Sequence, residues 1–127
     1  MRLFRLAAVT IAAAPALLAQ GPPGEKLYVV NQAAASITII DQSRLRVDTV
    51  LDLRTLGFTA NAKPHHIAVE PDGSFWYVTL IGDGRVVKFD RNNQVVGQVK
   101  METPGLITLD PVHDSLYVGR SMTAVNP

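Results

Sequence analysis

A tyrosine-valine pair returns three times in this chain, as Tyr28-Val29, Tyr77-Val78 and Tyr117-Val118, at spacings of 49 and then 40 residues. Other pieces return with it. Ile40-Asp41 comes back as Phe89-Asp90, and Glu70-Pro71-Asp72 as Asp110-Pro111-Val112. An insertion at residues 54–64 accounts for the longer first spacing. A period of this length constrains the fold strongly, because one unit cannot bury its own apolar face and must stack on the next.

Within each period the apolar residues fall in short runs: 26–31 (KLYVVN), 36–41 (SITIID), 47–53 (VDTVLDL), 65–70 (HHIAVE), 75–80 (FWYVTL), 85–90 (RVVKFD), 95–101 (VVGQVKM), 105–110 (GLITLD) and 115–119 (SLYVG). Valine, isoleucine, threonine and tyrosine dominate them, which suits strands packed on their faces. Asp72-Gly73, Gly82-Asp83-Gly84 and Asn92-Asn93 lie between runs and can supply positive φ for tight turns. No amphipathic helix follows residue 24. The chain therefore reads as all-β, and four strands in about 40–45 residues are the signature of a β-propeller blade.

Blade order assigns 65–70 as an innermost strand, 75–80 as the second, 85–90 as the third and 95–101 as the outermost. Residues 65–101 form one complete antiparallel blade. Residues 26–53 supply only strands two to four of a preceding blade, and 105–127 begin a following one. The partial propeller thus spans 26–127 and holds about two to two and a half blades. Ring closure needs four to eight blades, or about 160 to 360 residues. The expectation is an incomplete propeller, the N-terminal portion of a longer chain; assembly of a short chain with copies of itself is the alternative.

LYVVN, SITIID, PHHIAVEPDG and WYVTL resemble the repeats of the YVTN-type β-propeller proteins, across residues 26 to about 119. Leu80 stands where that repeat has its final asparagine, and Val112-His113-Asp114 where it has an Asp-Gly turn. The resemblance implies a seven-bladed ring and export. It carries chemistry poorly, because such propellers serve as binding scaffolds, lactone hydrolases and haem-binding proteins of nitrite reduction.

Arg2 and Arg5, the uncharged run 6–18 and a small residue, Ala19, follow the order of a secretory signal peptide cut after Ala19, with Ala16 as the alternative. The run's 13 residues make a helix about 10 Å too short for a ~30 Å hydrocarbon core. Residues 1–19 are thus expected to be a leader and 20–25, with Gly21-Pro22-Pro23-Gly24, a linker. The expected location is periplasmic or extracellular, with no membrane association after cleavage. Without the leader, ten basic residues face 11 acidic ones, which leaves no basic stripe for nucleic acid. The absence of cysteine excludes disulfides, thiolate metal sites and a cysteine nucleophile in this chain.

Antiparallel order places residues 32–35, 54–64, 81–84 and 102–104 on one face, near the channel mouth. Turns 70–74, 91–94 and 111–114 lie on the other. The ligand-facing candidates are His65, His66, Asp83 and Arg85. Neighbours on a strand point to opposite sides, so His65 and His66 are not expected to share a metal, and His113 falls on the far face. Hydrogen bonding at a blade junction is the plainer role for both mouth histidines. Gly82-Asp83-Gly84-Arg85 lacks the spacing of a phosphate or calcium loop and reads as a hairpin turn. Asp41 and Asp90 read as turn caps. Trp76, Tyr28, Tyr77 and Tyr117 read as packing between blades. No catalytic residues and no metal site are expected, and no cofactor is assigned, haem or metal in a full-length protein staying open. The reading is a binding scaffold for a protein, glycan or small ligand. The alternative is a propeller enzyme or cofactor carrier whose active residues lie mostly in other blades.

Overall fold

The computed structural model describes residues 25–121. The expected leader and most of the linker lie outside the described residues, as does 122–127. Nine strands follow one another: β1 (Lys26–Asn31), β2 (Ser36–Asp41), β3 (Arg46–Asp52), β4 (Pro64–Val69), β5 (Phe75–Leu80), β6 (Arg85–Asp90), β7 (Val95–Lys100), β8 (Pro104–Asp110) and β9 (Ser115–Arg120). Their bounds fall within one residue of the apolar runs. They form three antiparallel meanders, β1-β2-β3, β4-β5-β6-β7 and β8-β9, and the chain is all-β as expected.

Alternation along β5 explains how the sheets stack. Trp76, Val78 and Leu80 are fully buried against the first sheet, with Ile37, Ile39, Val87 and Phe89 in the same core. Tyr28 lies 5.0 Å from Trp76, and Trp76 stacks on its cross-strand partner Phe89 at 4.1 Å with ring planes 6° apart. Such aromatic pairs add about 0.5–1.5 kcal/mol beyond the area they bury. Leu53, just before the insertion, and Ala62, within it, belong to the same core. Tyr28 and Trp76 thus pack between sheets as expected, whereas Tyr117 is more than half exposed.

The contacts between sheets repeat. β1 packs on β4 as β5 packs on β8, and β4 runs beside β8. In both junctions a sheet's second strand meets the next sheet's innermost strand, so β1 occupies in the first sheet the place β5 holds in the second. The innermost strands lie side by side and the sheets extend outward from them.

Turn chemistry follows the sequence at Gly73 (φ 67), Gly84 (φ 60) and Asn93 (φ 64). Where the third unit has Val112-His113-Asp114, Asp114 takes φ 48. Aspartate carboxylates fasten several turns. Asp41 accepts from the Ser43 hydroxyl and the Arg44 amide, Asp90 from the amides of Asn92 and Gln94, and Asp110 from those of Val112 and His113. The cap role expected for Asp41 and Asp90 is what the bonds show. The Ser43 hydroxyl, above all, holds Asp41 below the ordinary carboxylate range, and the His113 ring does the same for Asp110.

Tyr77 donates from its hydroxyl to Glu70 Oε1 at 2.8 Å, and the Lys88 ammonium sits 3.9 Å from the Phe75 ring centre beside it. Desolvation, then the Glu70 hydrogen bond and nearby negative charge, push the phenol from 10.0 up to about 12. A value raised in the folded state favours the protonated form. The resulting stability is complete below the unfolded value and is lost as pH climbs from 10 to about 12. Denaturant midpoints measured across that window are expected to fall in the natural chain and to fall less in Tyr77→Phe.

Candidate functional site

The loops at the mouth end are bound to one another by main-chain bonds. Leu53 N–H donates to Ala35 O at 3.0 Å, Gly82 N–H to Ala62 O at 2.9 Å and Met101 N–H to Gly84 O at 2.9 Å. Lys63 and Thr103 hold equivalent places before Pro64 and Pro104, and both have positive φ, 50 and 45. A left-handed residue before proline is doubly disfavoured, yet the bend occurs in both units. It turns each carbonyl toward the end of the neighbouring strand: Lys63 O accepts from Ile81 N–H at 3.2 Å and Thr103 O from Ser121 N–H at 2.7 Å. No local sequence signal marks these two bends except their recurrence before proline.

The four ligand-facing candidates lie at this end, and three of them have partners. Asp83 accepts from the Thr59 amide at 3.0 Å and from the Thr59 hydroxyl, so the 81–84 turn anchors the insertion, a role the sequence reading missed. Arg85 Nη1 donates to Gln98 Oε1 on the neighbouring strand at 2.8 Å. His66 Nδ1 accepts from the Ile107 amide at 3.2 Å, so Nδ1 carries no proton in this arrangement and His66 joins β4 to β8. His65 is different. Pairing is irregular between Pro64 and His66, which removes the simple alternation expected of these neighbours, and His65 Nδ1 is buried with no partner. His113 lies in the β8–β9 turn on the far face, 2.8 Å from Asp110 Oδ2.

Thr79 is the polar centre of the junction and was not singled out in the sequence. It is fully buried, accepts from the His66 amide at 3.1 Å and donates to Gly105 O in β8 at 2.8 Å. Thr79→Val keeps the shape and removes the hydroxyl that bonds the His66 amide and Gly105 O. At about 1–3 kcal/mol for each of these two groups, the expected loss is roughly 2–6 kcal/mol. Thr79→Ser should recover most of it in chemical denaturation.

Solved structures with this arrangement are known. Streptogramin B lyase superposes with a TM-score of 0.59 at 20% identity over 73% of this chain and 30% of that one. Catalytically inactive virginiamycin B lyase from Staphylococcus aureus, with quinupristin, gives 0.59 at 16% identity over 73% and 30%. The dihydro-heme d1 dehydrogenase NirN gives 0.59 at 23% identity over 76% and 20%. The fold is an incomplete β-propeller. The three sheets are its blades, and the chain spans less than a third of the length of these similar structures. No family model matches the chain, and no curated protein matches it. Similarity at this identity establishes the propeller and leaves its chemistry to the residues themselves.

Proposed function

We propose that this chain is part of a YVTN-type propeller that binds a protein, glycan or small ligand at its mouth face as a non-catalytic scaffold. One observation carries the reading: four polar side chains at this face are engaged in holding the blades and loops. His66 serves Ile107, Asp83 serves Thr59, Thr79 serves Gly105 and Arg85 serves Gln98. A general base or nucleophile needs a group within reach of substrate and available to move a proton, and these four are committed elsewhere. The same bonds make the face rigid, which favours recognition by lowering the ordering cost of binding.

His65 supports a second reading. Its buried, unpartnered Nδ1 suits a side chain completed by a ligand, and imidazole is a common metal ligand. Thermal-shift measurements on the full chain separate the two. Soluble glycans and peptides form one panel, Zn²⁺ and haemin the other, each repeated on His65→Ala. A saturable rise in Tm with a glycan or peptide is expected. A rise confined to Zn²⁺ or haemin and lost in His65→Ala would overturn the scaffold reading.

A further inference from the structure

Arg85 and Lys100 stand directly opposite each other where β6 begins and β7 ends, at the mouth end of the second sheet. Directly opposed residues of an antiparallel pair have Cβ atoms about 4.5–5.5 Å apart, and like charges placed there repel. A neighbouring carboxylate would ordinarily relieve such a pair. The two nearest in sequence are engaged elsewhere. Asp83 accepts from the Thr59 amide and hydroxyl, and Glu102 pairs with Arg120 at 2.6 Å. All 11 acidic residues of the chain fall within the described segment. Among the described residues, no ion pair includes Arg85 or Lys100.

The corresponding corner of the first sheet is built differently. There Ser36 lies opposite Asp52, and that single charge is met by Arg54 at 2.7 Å. In the second sheet a neutral group holds the guanidinium instead: Arg85 Nη1 donates to Gln98 Oε1 at 2.8 Å. Gln98 and Lys100 are two apart on β7, so both side chains leave the same face of the sheet. The amide fixes the arginine without cancelling its charge. Arginine carries five N–H donors in a planar fork, and one bond to Gln98 leaves the rest of the fork for another partner. Arg85 is half-buried and Lys100 exposed, so a ligand arriving from solvent meets two cations, one of them already ordered.

We propose that Arg85 and Lys100, with Gln98 positioning the guanidinium, form an oxyanion site on the mouth face. It takes a carboxylate, sulfate or phosphate group, as a free anion or as a substituent of a larger ligand. The site rests on the mouth-face binding reading and deepens it, by giving the ligand a negative charge. The guanidinium fork matches two oxygens of one such group. The lysine ammonium, a compact point charge on a flexible stem, adds a second cation to the same group. An anion seated between them relieves the repulsion that the strand register imposes.

The test is an NMR titration of the full 127-residue chain, following Arg85 Nε at constant ionic strength. Sodium sulfate is the probe in one arm and trigalacturonate in a second, with maltotriose as the neutral control. Saturable shifts with sulfate, and none with maltotriose, are expected. Trigalacturonate binding at least tenfold tighter than sulfate makes a substituent of a larger ligand the source. Trigalacturonate binding no tighter than sulfate makes it a free anion. Lys100→Gln, at an exposed position, should weaken sulfate binding at least fivefold, and Lys100→Arg should restore it. Lys100→Glu supplies the missing carboxylate and should abolish saturation. Shifts that grow linearly with sulfate concentration, or equal affinity in the natural chain and Lys100→Gln, would overturn the site. Its failure is separable from that of the scaffold reading. Linear shifts together with a Tm rise from a neutral glycan or a peptide would remove the anion site and keep the scaffold. Saturation with sulfate and no Tm rise from any glycan or peptide would do the reverse.

Discussion

Replacing Trp76 with alanine is expected to remove about 3–5 kcal/mol of stability, the range for emptying a buried aromatic site. Trp76 is fully buried and is the ring that both Tyr28 and Phe89 touch, so its loss opens the core at the junction of the first two blades. Typical domains hold 5–15 kcal/mol in all, and an effect of this size shifts the denaturant midpoint severely. Phenylalanine provides the control. The indole Nε1 is buried without a partner, so Trp76→Phe loses volume but also removes an unsatisfied donor. Its cost should stay below about 1.5 kcal/mol. Circular dichroism is the suitable probe, since Trp76 is the single tryptophan and its own fluorescence disappears with it. Equal costs for the two variants would mean that stacking on Phe89 does not organise this core.

Gly82→Ala is expected to be comparably damaging although it adds one methyl group. A Cβ at Gly82 would lie 1.6 Å from the Asn61 carbonyl oxygen and 2.8 Å from the Asn61 carbonyl carbon. Ordinary contact is about 3.5 Å, and the obstructing atoms are main chain, so the 81–84 turn and the insertion must separate by roughly 2 Å. That movement breaks the Gly82 N–H to Ala62 O bond of 2.9 Å and the Asp83 bonds to Thr59. Overpacking of about 1–3 kcal/mol and the lost main-chain bond of about 1 kcal/mol together give roughly 2–4 kcal/mol. Gly73→Ala separates crowding from backbone conformation. Nothing lies within 4 Å of its Cβ position, and only its φ of 67 opposes a side chain, at about 1–2 kcal/mol. Urea midpoints for the two variants should differ accordingly.

The strands and their order were legible because apolar alternation and turn residues mark them locally. Lys26–Asn31 and Phe75–Leu80 need no tertiary information to be read as pleated segments with one face inward. The Asp caps were legible for the same reason, since an Asx turn is made within a few residues. The polar junction was not. Thr79 looks like any β-branched strand residue until β8 is laid beside it, and the bond from Ile107 to His66 spans 41 residues. The role of Asp83 was hidden likewise, because its partner Thr59 lies in the insertion, the one segment without a counterpart in the other repeats. The irregular pairing at His65 shows a limit of the alternation rule. One extra residue in a strand changes which face its neighbour presents.

The radial arrangement rests on two innermost strands lying side by side, and the His66 to Ile107 bond joins them. Its direct test is a scalar coupling measured across the hydrogen bond, between His66 Nδ1 and the Ile107 amide nitrogen, in the uniformly ¹⁵N-labelled chain. A resolved coupling with a slowly exchanging Ile107 amide is the predicted result. A folded chain with no coupling, and with Ile107 exchanging as freely as a surface loop amide, would mean that the sheets do not meet as successive blades.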